Sequence, residues 1–154
     1  MDELLQRRVA QELDCTQRIV ELGARLHPRF RILTAEGDFH VIRPQLHTDE
    51  AEWNRLVSAY MAYKLASAFV VSWSRGPNDT ATIGVSRSSM TGYACPIDWS
   101  TRSLGPRVSL GKCDCKIVYS QMLPEPHSSL DEETYTLMLK RFGPFDPRPR
   151  SARH

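Results

Sequence analysis

Neither glycine-rich phosphate loop, G-x-G-x-x-G or G-x-x-x-x-G-K-[ST], occurs in this chain, and its eight glycines lie scattered. That absence argues against nucleotide and dinucleotide enzymology, which relies on such a backbone cradle. No segment approaches the roughly 20 apolar residues of a membrane-spanning helix; the longest uncharged stretch near the middle covers residues 65–74. The opening MDELLQRRVAQELD is charged from its second residue and holds no apolar core of a signal peptide. The expectation is a soluble cytoplasmic protein without membrane contact, whose four cysteines stay reduced. Lysine is scarce, four against sixteen arginines, and the net charge is only +2. A dedicated nucleic-acid domain is usually far more basic.

What is present describes an ordinary globule: 41% hydrophobic, 25% charged and 8% aromatic residues in a chain of 154. One domain of this size buries roughly 70% of the surface its unfolded chain exposes. Charge is uneven along it. Residues 1–50 carry seven basic and nine acidic side chains, whereas residues 101–154 carry nine basic and six acidic.

Apolar periodicity orders the elements. Leu5, Val9, Leu13, Thr16, Ile19 or Val20, Gly23 and Leu26 or His27 recur at helical spacing, with Arg7, Arg8, Glu12, Arg18, Glu21 and Arg25 between them and Pro28 as the stop. Residues 30–34 and 39–43 read as strands across the turn Ala35-Glu36-Gly37-Asp38. Asp49 and Glu52 open a second helix through Trp53, Leu56, Val57, Tyr60 and Met61. A hairpin spans residues 68–87 about the turn Arg75-Gly76-Pro77-Asn78-Asp79, and residues 91–97 form a further strand. Residues 107–119 read as a strand with a bulge at Gly111, and Ser129 with Glu132 opens a last helix that Gly143 and Pro144 close.

The stretch Lys112-Cys113-Asp114-Cys115-Lys116-Ile117-Val118-Tyr119 invites a zinc or redox reading. Its strict alternation is instead that of a strand with one wet and one buried face, in which free thiols pack as small hydrophobes. The zinc alternative is a Cys3His set of Cys95, Cys113, Cys115 and His127. Its intervals of 17, 1 and 11 residues differ from the usual knuckle spacing. Cys95 is also a candidate nucleophile, with His40, His47 or His127 as base, although no spacing places any of them beside it. His40, His47, Asp49 and Glu52 cluster where the second helix begins, but capping already accounts for both carboxylates. Lys140, Arg141, Arg148, Arg150 and Arg153 form a basic group suited to weak, salt-dependent phosphate contact. Tyr63 and Trp99 fall off the periodic faces and are candidates for a partner-contact patch.

The expected object is a single α+β domain over residues 1–143 with a Pro/Arg-rich tail over 144–154. Its order is α-β-β-α-β-β-β-β-α, a mostly antiparallel sheet covered by helices. The expected function is a small binding or regulatory module acting through protein–protein contacts, with a protein partner or a second copy as a homodimer at a sheet edge. No catalytic group and no cofactor are assigned. The alternatives are a zinc-binding protein using the Cys3His set and a nucleic-acid-associated protein using the basic C-terminal third.

Overall fold

The computed structural model describes residues 2–43, 49–110, 119, 121–125 and 131–142. Helix α1 (Asp2–Glu21) leads to strands β1 (Arg29–Thr34) and β2 (Gly37–Ile42), then helix α2 (Glu50–Tyr63). Strands β3 (Ala68–Gly76), β4 (Asp79–Ser86) and β5 (Met90–Asp98) follow. Two-residue strands β6 (Ser103–Leu104) and β7 (Val108–Ser109) precede helix α3 (Glu132–Phe142). All pairings are antiparallel, in the spatial order β2-β1-β3-β4-β5-β6 with β7 also on β5. The α+β order read from the sequence is therefore the observed one. Among the described residues no helix is long and apolar enough to cross a membrane.

The sheet is covered on both faces. Leu5, Val9 and Leu13 of α1 pack on Leu33, Ala68, Val70 and Cys95. The alternate residues Phe30, Ile32, Phe69, Val71, Ile83 and Val85 meet α2, α3, Tyr119 and Met122 on the other side. Central β3 is buried on both faces from Ala68 to Trp73, as its unbroken apolar run Ala68-Phe69-Val70-Val71 requires.

Three boundaries differ from expectation, each for a local reason. Helix α1 stops at Glu21, well before Pro28, because Gly23 takes φ +67. The Gly23 N–H donates to Val20 O and the Ala24 N–H to Ile19 O, a Schellman closure. Helix α3 is capped by Asp131, whose carboxylate accepts from the Thr134 N–H; Ser129 lies outside the described residues. Strand β6 lies between the expected strands at 91–97 and 107–119, and of the latter the described part is β7 and Leu110, whose N–H donates to Gly92 O. The expected bulge at Gly111 and the tail over 144–154 also lie outside the described residues.

Candidate functional site

The two edges of the sheet are unequal. Among the described residues, only the two-residue strands β6 and β7 come beyond β5, whereas β2 is a six-residue strand whose outer side pairs with no strand. Such an edge presents a row of backbone donors and acceptors to any extended chain.

A groove of about 370 Å³ runs beside β2, lined by Phe39, His40, Val41, Ile42, Trp53, Tyr60, Arg141 and Phe142. It forms where β2, α2 and the last turn of α3 meet. Aromatic rings make its walls in a connected chain. Trp53 and Phe142 stand edge to face with centroids 5.3 Å apart, Phe142 lies 5.0 Å from Tyr60, and Tyr60 stands edge-on to Phe39 at 6.5 Å. Lys64, the C-cap of α2, is buried with its ammonium 4.4 Å over the Phe39 ring, which holds that ring by a cation–π contact. Burial pushes the Tyr60 phenol above its ordinary value, with Tyr63 acting in the same direction, so it stays neutral. The Trp53 indole N–H is buried and has no hydrogen-bond partner among the described residues. Ile42, 55% exposed, is also in the lining; it stands opposite Arg29 in the register and so shares the α1 face of β2 with His40.

The opposite face of β2 is tied down by charge. Glu12 of α1 is fully buried, yet Arg29 donates to its Oε2 from Nε and Nη2 at 2.9 and 2.8 Å. Arg31 Nε donates to Oε1 at 2.6 Å, and His40 Nε2 lies 3.3 Å from the same oxygen. Arg31 Nη1 also donates to Asp38 at 3.1 Å, and Arg8 Nε lies 3.0 Å from that carboxylate without hydrogen-bond alignment. Burial alone would push the Glu12 carboxyl up. The His40 hydrogen bond, the Arg29 charge and the hydrogen bonds from both arginines outweigh it and hold the group at about 2. Glu12 was expected between the apolar positions of α1, on its polar side; the arginines of β1 draw it into the interior. Edge strand β2 is thus held against α1 on one face while its other face walls the groove.

A larger groove of about 530 Å³ runs between α2, α3 and residues 121–125, with Ala51, Asn54, Ser58, Ala62 and Met122 among its walls. No strand lines it among the described residues.

The residues singled out from the sequence are scattered. Cys95 is buried on β5 under α1, where burial pushes its thiol up, with Arg107 opposing and Asp79 adding. Cys113, Cys115 and His127 lie outside the described residues, and among the described ones no three metal-ligating side chains converge. Asp49 caps α2 by accepting from the Ala51 and Glu52 N–H groups, while His40 turns to Glu12; His47 is outside the described residues. Tyr63 is a partly buried wedge between the rings of Tyr60 and Tyr135, joining α2 to α3. Trp99 is partly exposed after β5 and donates to Pro77 O at 2.8 Å, bracing the β3–β4 turn. Lys140 and Arg141 are exposed on α3, and Arg141 borders the groove; Arg148, Arg150 and Arg153 lie outside the described residues.

Sequence reasoning missed both the groove and the Glu12 cluster. The available signal for the cluster was Glu12 itself, which stands three residues after Val9 and four before Thr16, on the buried stripe. No protein-family model matches the chain, no curated protein is similar to it, and no solved structure matches it.

Proposed function

We propose that the protein is a binding module that takes an extended segment of a partner protein as an added strand along β2, with an apolar side chain of that segment seated in the aromatic groove. One observation carries the reading: the long open edge of the sheet and the apolar groove are adjacent and share Phe39, Val41 and Ile42. Backbone pairing would supply affinity and the groove would supply side-chain selectivity, the two parts of strand addition. The charge network behind β2 supports it too, because an edge held in place loses little freedom on binding.

The test is selection of a random phage-displayed peptide library on the immobilised full chain, followed by titration of a selected peptide into isotope-labelled protein. Amide shifts over Gly37–Ile42 together with the Trp53 indole signal are expected. The Ile42→Asp variant should weaken binding at least about tenfold, a hot-spot loss, while its melting temperature holds. Three results overturn the reading: no peptide is recovered; a small apolar dye moves Trp53 and Phe142 without β2; or sedimentation shows a dimer that Ile42→Asp dissociates, which makes a second copy the occupant of the edge.

A further inference from the structure

We infer that the segment β2 accepts carries an acidic residue two positions from its apolar anchor, so that the partner strand reads apolar-x-acidic or acidic-x-apolar. This rests on the strand-addition reading and specifies its partner. Among the described residues, Arg141 is the one permanently charged residue lining the groove. It is exposed, in the last turn of α3, and the next residue is Phe142, whose ring is buried against Trp53 and Tyr60. The last turn of α3 therefore brings both Arg141 and Phe142 to the groove.

His40, also in the lining, turns its ring to Glu12 on the α1 face. Among the described residues no carboxylate lines the groove. Glu12 and Asp38 face the α1 side, where Arg8, Arg29 and Arg31 engage them. The charge of the opening is thus of one sign, and complementarity calls for an anion. A guanidinium suits a carboxylate well because its planar fork pairs bidentately.

The spacing follows from strand geometry. Successive side chains of an added strand point to opposite faces, so the anchor's neighbours on the groove side are the residues two before and two after it, about 7 Å away. A carboxylate at one of those positions lies on the Arg141 side of the sheet. A single-stranded nucleic acid would also be drawn to Arg141 and Lys140, and its bases can stack on aromatic rings, but it has no backbone N–H and C=O groups at strand spacing to pair with β2. A peptide satisfies both features.

The experiment runs the same phage selection in parallel on the full-length wild type, Arg141→Glu and Arg141→Ala, each checked by circular dichroism, and repeats the titration with a synthetic selected peptide. Wild type should enrich Asp or Glu two positions from an apolar residue. Arg141→Glu should lose that enrichment or replace it with Lys and Arg while keeping the apolar position, and Arg141→Ala should bind the acidic peptide about threefold more weakly, the scale of an exposed ion pair. Peptides that bind at β2 with no acidic preference, or with one that Arg141→Glu leaves unchanged, overturn the inference and leave the strand-addition reading standing. A lack of any β2-binding peptide overturns both. If Arg141→Glu abolishes retention of a single-stranded oligonucleotide and leaves peptide selection unmoved, the basic turn of α3 is a nucleic-acid contact and the inference is wrong.

Discussion

Trp53 of α2 and Phe142 of α3 meet edge to face, their ring centroids 5.3 Å apart and their planes at 68°. Through this contact the end of the chain's last described helix becomes a wall of the groove beside β2. Tyr60 extends the same row to Phe39. The groove therefore exists only when α2, α3 and β2 are docked together, and its shape is a property of the tertiary fold rather than of any one element.

The Glu12→Gln substitution removes the charge that two arginines share. Arg29 and Arg31 have side chains only 13% and 11% exposed, so both guanidinium charges would stay largely buried without their counter-ion. Breaking a buried pair by deleting one partner costs about 3–5 kcal/mol. Urea unfolding should show a loss of that size, whereas Glu3→Gln on the exposed side of α1 should change stability by less than about 0.5 kcal/mol.

The same carboxylate sets an acid limit. Its ordinary value is 4.5 and the folded protein holds it at about 2. A depressed carboxyl contributes stability in full above its unfolded value and loses it as pH falls toward the folded one. Unfolding free energy should therefore be insensitive to this group above about pH 5 and should fall between about pH 5 and pH 2, by roughly 3 kcal/mol from this group. In Glu12→Gln that part of the acid dependence should vanish. An unchanged acid profile in the variant would show that Glu12 is not the group concerned.

How much of this was legible in the chain depended on the range of the interactions. The turn Arg75-Gly76-Pro77-Asn78-Asp79 and the alternation of Ala81, Ile83 and Val85 place the central hairpin correctly, because turn chemistry and strand period are local. The Asp49 cap is equally local and equally visible. Helix ends were less so. The stop at Gly23 was passed over for Pro28, because a positive φ at one glycine competes with a proline further on. Glu12 looked like a surface residue since its partners Arg29, Arg31 and His40 come from two later strands. The groove was invisible for the same reason, as Phe39, Trp53, Tyr60 and Phe142 belong to three elements.

The end of α2 offers a gain in stability. Leu65 takes φ +55 while its N–H donates to Ala62 O and the Ala66 N–H donates to Met61 O, a Schellman closure with leucine where glycine is usual. Its side chain is largely exposed, so little packing would be lost. Relief of left-handed strain, about 1–2 kcal/mol, exceeds the extra chain entropy of glycine, about 0.5–1 kcal/mol. Leu65→Gly should raise the midpoint of thermal unfolding; a lower midpoint would contradict this account of the cap.

Glycine at position 84 is required by the approach of α1. A Cβ there would lie 2.8 Å from Val9 Cγ2 and 2.9 Å from Leu5 Cδ1, both in the packed layer between helix and sheet. Gly84→Ala should cost about 1–3 kcal/mol through overpacking, measured by urea unfolding. Gly76→Ala, where a Cβ meets nothing within 4 Å, should be neutral or better.

The most direct test of strand addition is amide hydrogen exchange of the full chain with and without a selected peptide. New backbone hydrogen bonds on the outer edge should slow exchange within Gly37–Ile42, and Ile42→Asp should abolish the slowing. Peptide binding that perturbs Trp53 and Phe142 but leaves exchange in β2 unchanged would contradict the account, since the groove would then be taking a side chain without adding a strand.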